Sequence, residues 1–102
     1  MLSIAFCDDE PIMLEELFNV VKGYIDSKKV EFTADLFESG EEFVEKGVRC
    51  RKYDIVFLDI EMKEMNGLEA AAWFRKLNEQ SKVIFVSSHV EYTLDAFKVA
   101  AF

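Results

Sequence analysis

Apolar residues along this chain alternate between two rhythms. Leu2 to Cys7 is a short apolar run that stops at Asp8-Asp9-Glu10. Beyond it, Leu14, Leu17, Phe18, Val21 and Ile25 recur every three or four residues, which predicts an amphipathic helix over about Pro11 to Asp26. Pro11 suits its first turn, where a missing N–H loses no partner. Val30, Phe32, Ala34 and Leu36 alternate with polar neighbours, predicting a second strand with one better-buried face. Ser39-Gly40-Glu41-Glu42 has capping-box form and predicts a brief helix that Gly47 closes. The basic segment Arg49-Cys50-Arg51-Lys52 reads as a solvated loop.

The central feature is Tyr53-Asp54-Ile55-Val56-Phe57-Leu58-Asp59, in which four large apolar residues run directly into an acid. Such a run predicts a strand buried on both faces, as in the middle of a parallel sheet. Met62 to Met65 forms a connection, and Asn66-Gly67-Leu68-Glu69 starts a third helix with Asn66 as cap and Glu69 reaching back. Leu68, Ala71, Ala72 and Leu77 are expected to face the sheet. Lys82 to Val86 predicts the fourth strand, ending in Ser87-Ser88-His89, and a fourth helix is expected from about Glu91. Strict alternation of strands and helices predicts an α/β fold with a parallel sheet covered on both faces.

Composition narrows the function classes. With 102 residues, half of them hydrophobic and ten of them phenylalanine, the chain is expected to form one packed domain. No apolar run approaches the about 18 residues of a membrane span, and nothing resembles a signal peptide. A net charge of −8 repels phosphodiester backbones and argues against direct nucleic-acid binding. Cys7 falls in an apolar run, where packing is its expected role. Two unpatterned cysteines point to a reducing compartment, hence the cytoplasm.

An acid after a strand is common, so Asp59 alone says little. Its company changes that. In open α/β sheets, ligands bind beyond the carboxyl ends of the strands. Here the first strand delivers Asp8 and Asp9, the third Asp59 and the fourth Ser87. If these strands are neighbours, three carboxylates converge and cannot all ionise without a cation. An all-oxygen set suits a hard divalent ion, Mg²⁺ or Mn²⁺. A carboxylate can also attack phosphorus and hold a phosphoryl group as a mixed anhydride. Asp59, leaving the middle of the sheet, is the candidate nucleophile, with Ser87 donating a hydrogen bond to the arriving group.

The set Cys7-Asp8-Asp9-Glu10-Pro11, Val56-Phe57-Leu58-Asp59-Ile60-Glu61-Met62, Asn66-Gly67-Leu68-Glu69 and Ile84-Phe85-Val86-Ser87 resembles the receiver domain of two-component response regulators. Ser87-Ser88-His89-Val90-Glu91-Tyr92, with Ala96-Phe97, further resembles regulators carrying a LytTR-type DNA-binding output domain. The resemblance implies a flavodoxin-like doubly wound sheet in the order 2-1-3-4. It implies that Asp59 accepts phosphate from a sensor histidine kinase with Mg²⁺, that Asp9, Asp59 and the Glu61 carbonyl ligate the metal, and that Asp8 acts largely through water. Ser87 would be the switch hydroxyl. Glu61 and His89 would border the approach of water and tune the phosphoryl lifetime, His89 in a pH-sensitive way.

The chain departs from the family pattern in two places. It stops at Phe102, so the fifth strand, its aromatic residue and the following lysine are expected to be missing. That reading makes residues 1–102 a C-terminally incomplete receiver and exposes the fourth strand as an apolar edge, predicting self-association. Lys63 stands where the family usually has proline. Other classes fit less well. A haloacid-dehalogenase-type phosphatase needs a second aspartate two positions after the nucleophile, where this chain has Glu61. A flavin module needs a phosphate loop, and Asp8-Asp9-Glu10-Pro11 is its electrostatic opposite. An interaction domain keeping only the fold has no use for the acid trio, but the absence of the family's lysine keeps that alternative open.

Overall fold

Strand register is what brings the acids of this chain together. The computed structural model describes residues 1–86; Ser87, Ser88, His89 and the helix expected from about Glu91 lie outside the described residues. Within them the order is β1 (Leu2–Cys7), α1 (Pro11–Ser27), β2 (Phe32–Phe37), α2 (Gly40–Glu45), a 3-10 helix (Gly47–Lys52), β3 (Ile55–Asp59), α3 (Gly67–Leu77) and β4 (Lys82–Val86). The strands form one parallel sheet in the order β2-β1-β3-β4, as the resemblance implies.

The chain steps from β1 outward to β2, then crosses back to β3 and on to β4. Right-handed crossovers therefore place α1 on one face and α2 and α3 on the other. The side chains agree. Leu14 and Ile25 of α1 pack on Ile4 and Phe6, with Leu17, Phe18, Val21 and the sheet residues Ile55 and Phe57 around them. Phe6 stacks on Phe57 with ring centroids 5.1 Å apart and meets Phe18 edge-on at 5.6 Å. The second face buries Ala5, Cys7, Phe37, Val56, Leu58, Val83 and Phe85 against Phe43, Ala70, Ala71 and Phe74. Phe43 is its hub, in ring contact with Phe37, Tyr53, Trp73 and Phe74.

Three expectations are corrected. The better-buried position of β2 is not on the Phe32, Ala34, Leu36 face: Leu36 is exposed, and Phe37 on the opposite face is buried. β2 flanks the sheet, and α2 follows at once, pulling Phe37 onto Phe43 at 5.4 Å. The basic segment is not a solvated loop. It is a 3-10 helix with Cys50 fully buried against the core, its charged neighbours outward. Finally, α3 presents Gly67, Ala70, Ala71 and Phe74 inward, while Leu68 is 42% exposed and Ala72 is exposed too. The run of alanines carries little directional signal, and at Gly67 the close approach to the end of β3 leaves no room for a side chain.

Several polar contacts lock the far end of the sheet. Arg75 Nη1 donates to the carbonyls of Asn78, Glu79 and Ser81 at 3.4, 3.0 and 2.6 Å, fixing the turn from α3 into β4. Ser81 Oγ donates to the Tyr53 carbonyl at 2.5 Å, and the Tyr53 hydroxyl donates to Asp35 at 2.6 Å.

Candidate functional site

Cys7 of β1 is level with Leu58 of β3, so the residues that follow them, Asp8 and Asp59, emerge side by side. The connections from these two strands depart to opposite faces, which opens a crevice between them. One side-chain oxygen from each of Asp8, Asp9 and Asp59 lies within 4.8 Å of the others. The convergence expected of these three residues is therefore present.

Each carboxylate is held differently. Asp8 is only 5% exposed, and its Oδ1 accepts the Glu10 N–H at 2.9 Å. This bond organises the turn into α1, whose N-cap Glu10 makes no side-chain cap of its own and is followed by Pro11. Asp9 is half-buried, and its Oδ2 accepts the Lys63 backbone N–H at 3.0 Å. Asp59 closes β3, paired in register with Val86 of β4, and the Ile60 N–H donates to the Val86 carbonyl at 3.3 Å. Ser87, the next residue in the chain, is outside the described residues.

Electrostatics follow from the crowding. Burial, followed by the charges of Asp8 and Asp9, pushes the Asp59 carboxyl up to about 7, with a Glu61 backbone hydrogen bond working the other way. Asp8 is also raised, by burial first, while its bond from Glu10 opposes the shift. Among the described residues, the ion pairs Lys22–Asp26 and Lys52–Asp35 lie away from these acids. A concentrated negative charge with oxygen-only donors fits a hard divalent cation better than a soft or borderline one. Among the described residues, Asp8, Asp9 and Asp59 are grouped so that they could hold it. The Glu61 side chain is exposed and is not part of the trio.

The packing role expected of Cys7 is borne out, although the partners it meets in the floor of the crevice were not legible from sequence. Cys7 Sγ donates to the Ser39 carbonyl at 3.2 Å and lies 3.6 Å from Met62 Sδ. Cys7 is fully buried, and that burial, reinforced by the nearby acids, pushes its thiol up to about 12, which fits a packing role. Gly67 is the second such residue. A Cβ built there falls 2.1 Å from the Asp59 carbonyl oxygen, so the start of α3 sits directly on the backbone of the candidate nucleophile. The signal for it was present as Asn66-Gly67, but that pair reads equally well as an ordinary helix start. Asn66 does cap α3, and its reciprocal box with Glu69 is complete, at 2.9 and 3.3 Å.

A doubly wound parallel sheet with a group of acids gathered in the crevice between two neighbouring strand ends defines a flavodoxin-like domain. The chain belongs to the response regulator receiver domain family, whose model matches residues 4–102. It is 30% identical over 97 residues to the transcriptional regulatory protein LytR of Staphylococcus aureus, covering 92% of this chain and 36% of that protein. It is 34% identical over 103 residues to the sensory transduction protein LytT of Bacillus anthracis, covering 99% of this chain and 39% of that one. These relatives accord with the LytTR-type resemblance, and the chain spans under two fifths of their length. Among solved structures it resembles the response regulator TrrA of Thermotoga maritima in complex with Mg²⁺ and BeF, with a TM-score of 0.71 and 32% identity over 98% of this chain and 81% of that one.

Proposed function

We propose that this chain is a phosphorylation-dependent switch in which Asp59 accepts a phosphoryl group from a phosphohistidine of a sensor histidine kinase. An Asp59 carboxylate oxygen attacks phosphorus, the P–N bond to the histidine breaks with protonation of the leaving imidazole, and an aspartyl phosphate remains. Asp8, Asp9, Asp59 and the Glu61 carbonyl are the groups proposed to hold Mg²⁺ or Mn²⁺, with Ser87 meeting the phosphoryl group. The cation, when bound, neutralises charge shared between the carboxylates and the phosphoryl oxygens. The approach of three carboxylate oxygens within 4.8 Å carries this reading, because such a cluster is costly without a cation or a proton.

The partners follow from the surface. Ile12 is 74% exposed and lines, with Pro11 and Asp9, the recess beside the acids, a fitting apolar contact for a docking helix of the kinase. No helix among the described residues is long and apolar enough to cross a membrane, and Cys7 and Cys50 are free, buried thiols; both suit a cytoplasmic protein. The output is proposed to be transcriptional, through a separate DNA-binding domain, since this domain's charge of −8 disfavours DNA.

Incubation with acetyl phosphate and Mg²⁺ tests the central claim. Intact mass is expected to rise by one phosphoryl group in the wild type, and not in Asp59→Asn or in the presence of a chelator. An unchanged wild-type mass, or an increment retained by Asp59→Asn, overturns the assignment.

A further inference from the structure

The β3–α3 loop is pinned from outside by two carboxylates. The Met65 N–H donates to Glu41 Oε2 of α2 at 3.1 Å, and the Lys63 N–H donates to Asp9 Oδ2 at 3.0 Å. Its ends are fixed as well, by the Gly67 N–H on the Ile60 carbonyl at 2.9 Å and by the Asn66–Glu69 box. The amide at position 63 is thus a donor on a rigid support, aimed at one of the three acids. It exists only because this position is not proline, which has no N–H.

We propose that the backbone N–H of Lys63 is a positioning group of the acidic site, holding Asp9 in the orientation that receives a divalent cation and tying cation binding to the β3–α3 loop. The inference rests on the proposed metal-binding role of the trio. A half-exposed aspartate beside two other carboxylates is repelled by them and is free to swing into water. The Lys63 amide opposes that. One N–H occupies a single acceptor site of a carboxylate that has about four, so capacity for a metal remains. While bonded to the loop, Asp9 still offers an oxygen within 4.8 Å of those from Asp8 and Asp59. Ligating carboxylates are commonly held by such outer hydrogen bonds, and losing one weakens metal affinity about 10–100-fold.

The role belongs to the backbone and not to the exposed lysine side chain, which makes it separable. Lys63→Ala and Lys63→Pro lose the same charge, but only the second loses the N–H. Mg²⁺ titrations followed by amide chemical shifts are expected to give Lys63→Pro an affinity about 10-fold weaker than Lys63→Ala. Equal affinities, or tighter binding by the proline variant, overturn the proposal. Because proline also restrains Met62, amide exchange in the wild type provides an independent measurement. The Lys63 amide is expected to exchange slowly and to stay protected when Mg²⁺ is added. Fast exchange, or protection lost on adding Mg²⁺, overturns the positioning role. A wild type that does not bind Mg²⁺ at all overturns the metal site itself, and the inference with it.

Discussion

Asp59→Asn is expected to lose all phosphoryl acceptance and, without metal at pH 8, to fold more stably than the wild type. The first effect follows from removing the carboxylate that would attack phosphorus, and the second from removing a crowded charge. In the folded chain burial and the neighbouring charges of Asp8 and Asp9 lift the Asp59 carboxyl to about 7, against an ordinary 3.8. Between those values the folded state retains a proton that the unfolded chain has lost. Stability is therefore fully present below about pH 4 and drains away as pH rises through 7. At face value the gap corresponds to ~4 kcal/mol; solvent reaching the half-buried group screens it, so about 1–3 kcal/mol is expected. Urea melts of both proteins across pH 4 to 8 are the measurement. The variant's advantage should be near zero at the acid end and grow towards pH 8. Added Mg²⁺ should raise wild-type stability more than that of the variant, because binding to the folded state adds its own free energy. A stability difference that does not change with pH removes the electrostatic account of the site.

How much of this was legible in sequence depends on whether a position is governed by pattern or by proximity. β1, β3 and β4 were readable because each is a continuous apolar run, and α1 because five apolar residues keep helical spacing. The clustering of Asp8, Asp9 and Asp59 was readable because these acids stand at the ends of two neighbouring strands. What pattern does not encode is which small residue touches what. Ala70 and Ala72 are the same residue two positions apart, yet one is buried and the other exposed. Cys50 sits among three basic side chains that hide the single inward position of a 3-10 turn. The Lys63 amide is invisible to any reading of side-chain types, since its contribution is a backbone donor.

Gly67→Ala is expected to be among the most damaging single substitutions in the described fold. The added methyl would lie 2.1 Å from the Asp59 carbonyl oxygen and 2.9 Å from both the Asp59 carbonyl carbon and Ile60 Cα. All three are backbone atoms, so no rotamer change relieves the clash. The start of α3 must withdraw from the end of β3. That withdrawal strains the Gly67–Ile60 hydrogen bond of 2.9 Å and the Asn66–Glu69 box, and it shifts the strand end that carries Asp59. Ordinary overpacking costs about 1–3 kcal/mol, and a backbone collision with loss of a cap should exceed ~3 kcal/mol. For a domain whose total stability is about 5–15 kcal/mol, the remaining margin is small. Gly23→Ala makes the same chemical change inside α1, where a Cβ meets no atom within 4 Å. It should stabilise by up to about 1 kcal/mol, since alanine is the better helix former. Opposite signs for one substitution at two helical glycines, read by urea melts, test whether Gly67 acts by contact. A Gly67→Ala variant within about 0.5 kcal/mol of wild type would mean that α3 does not rest on the Asp59 backbone.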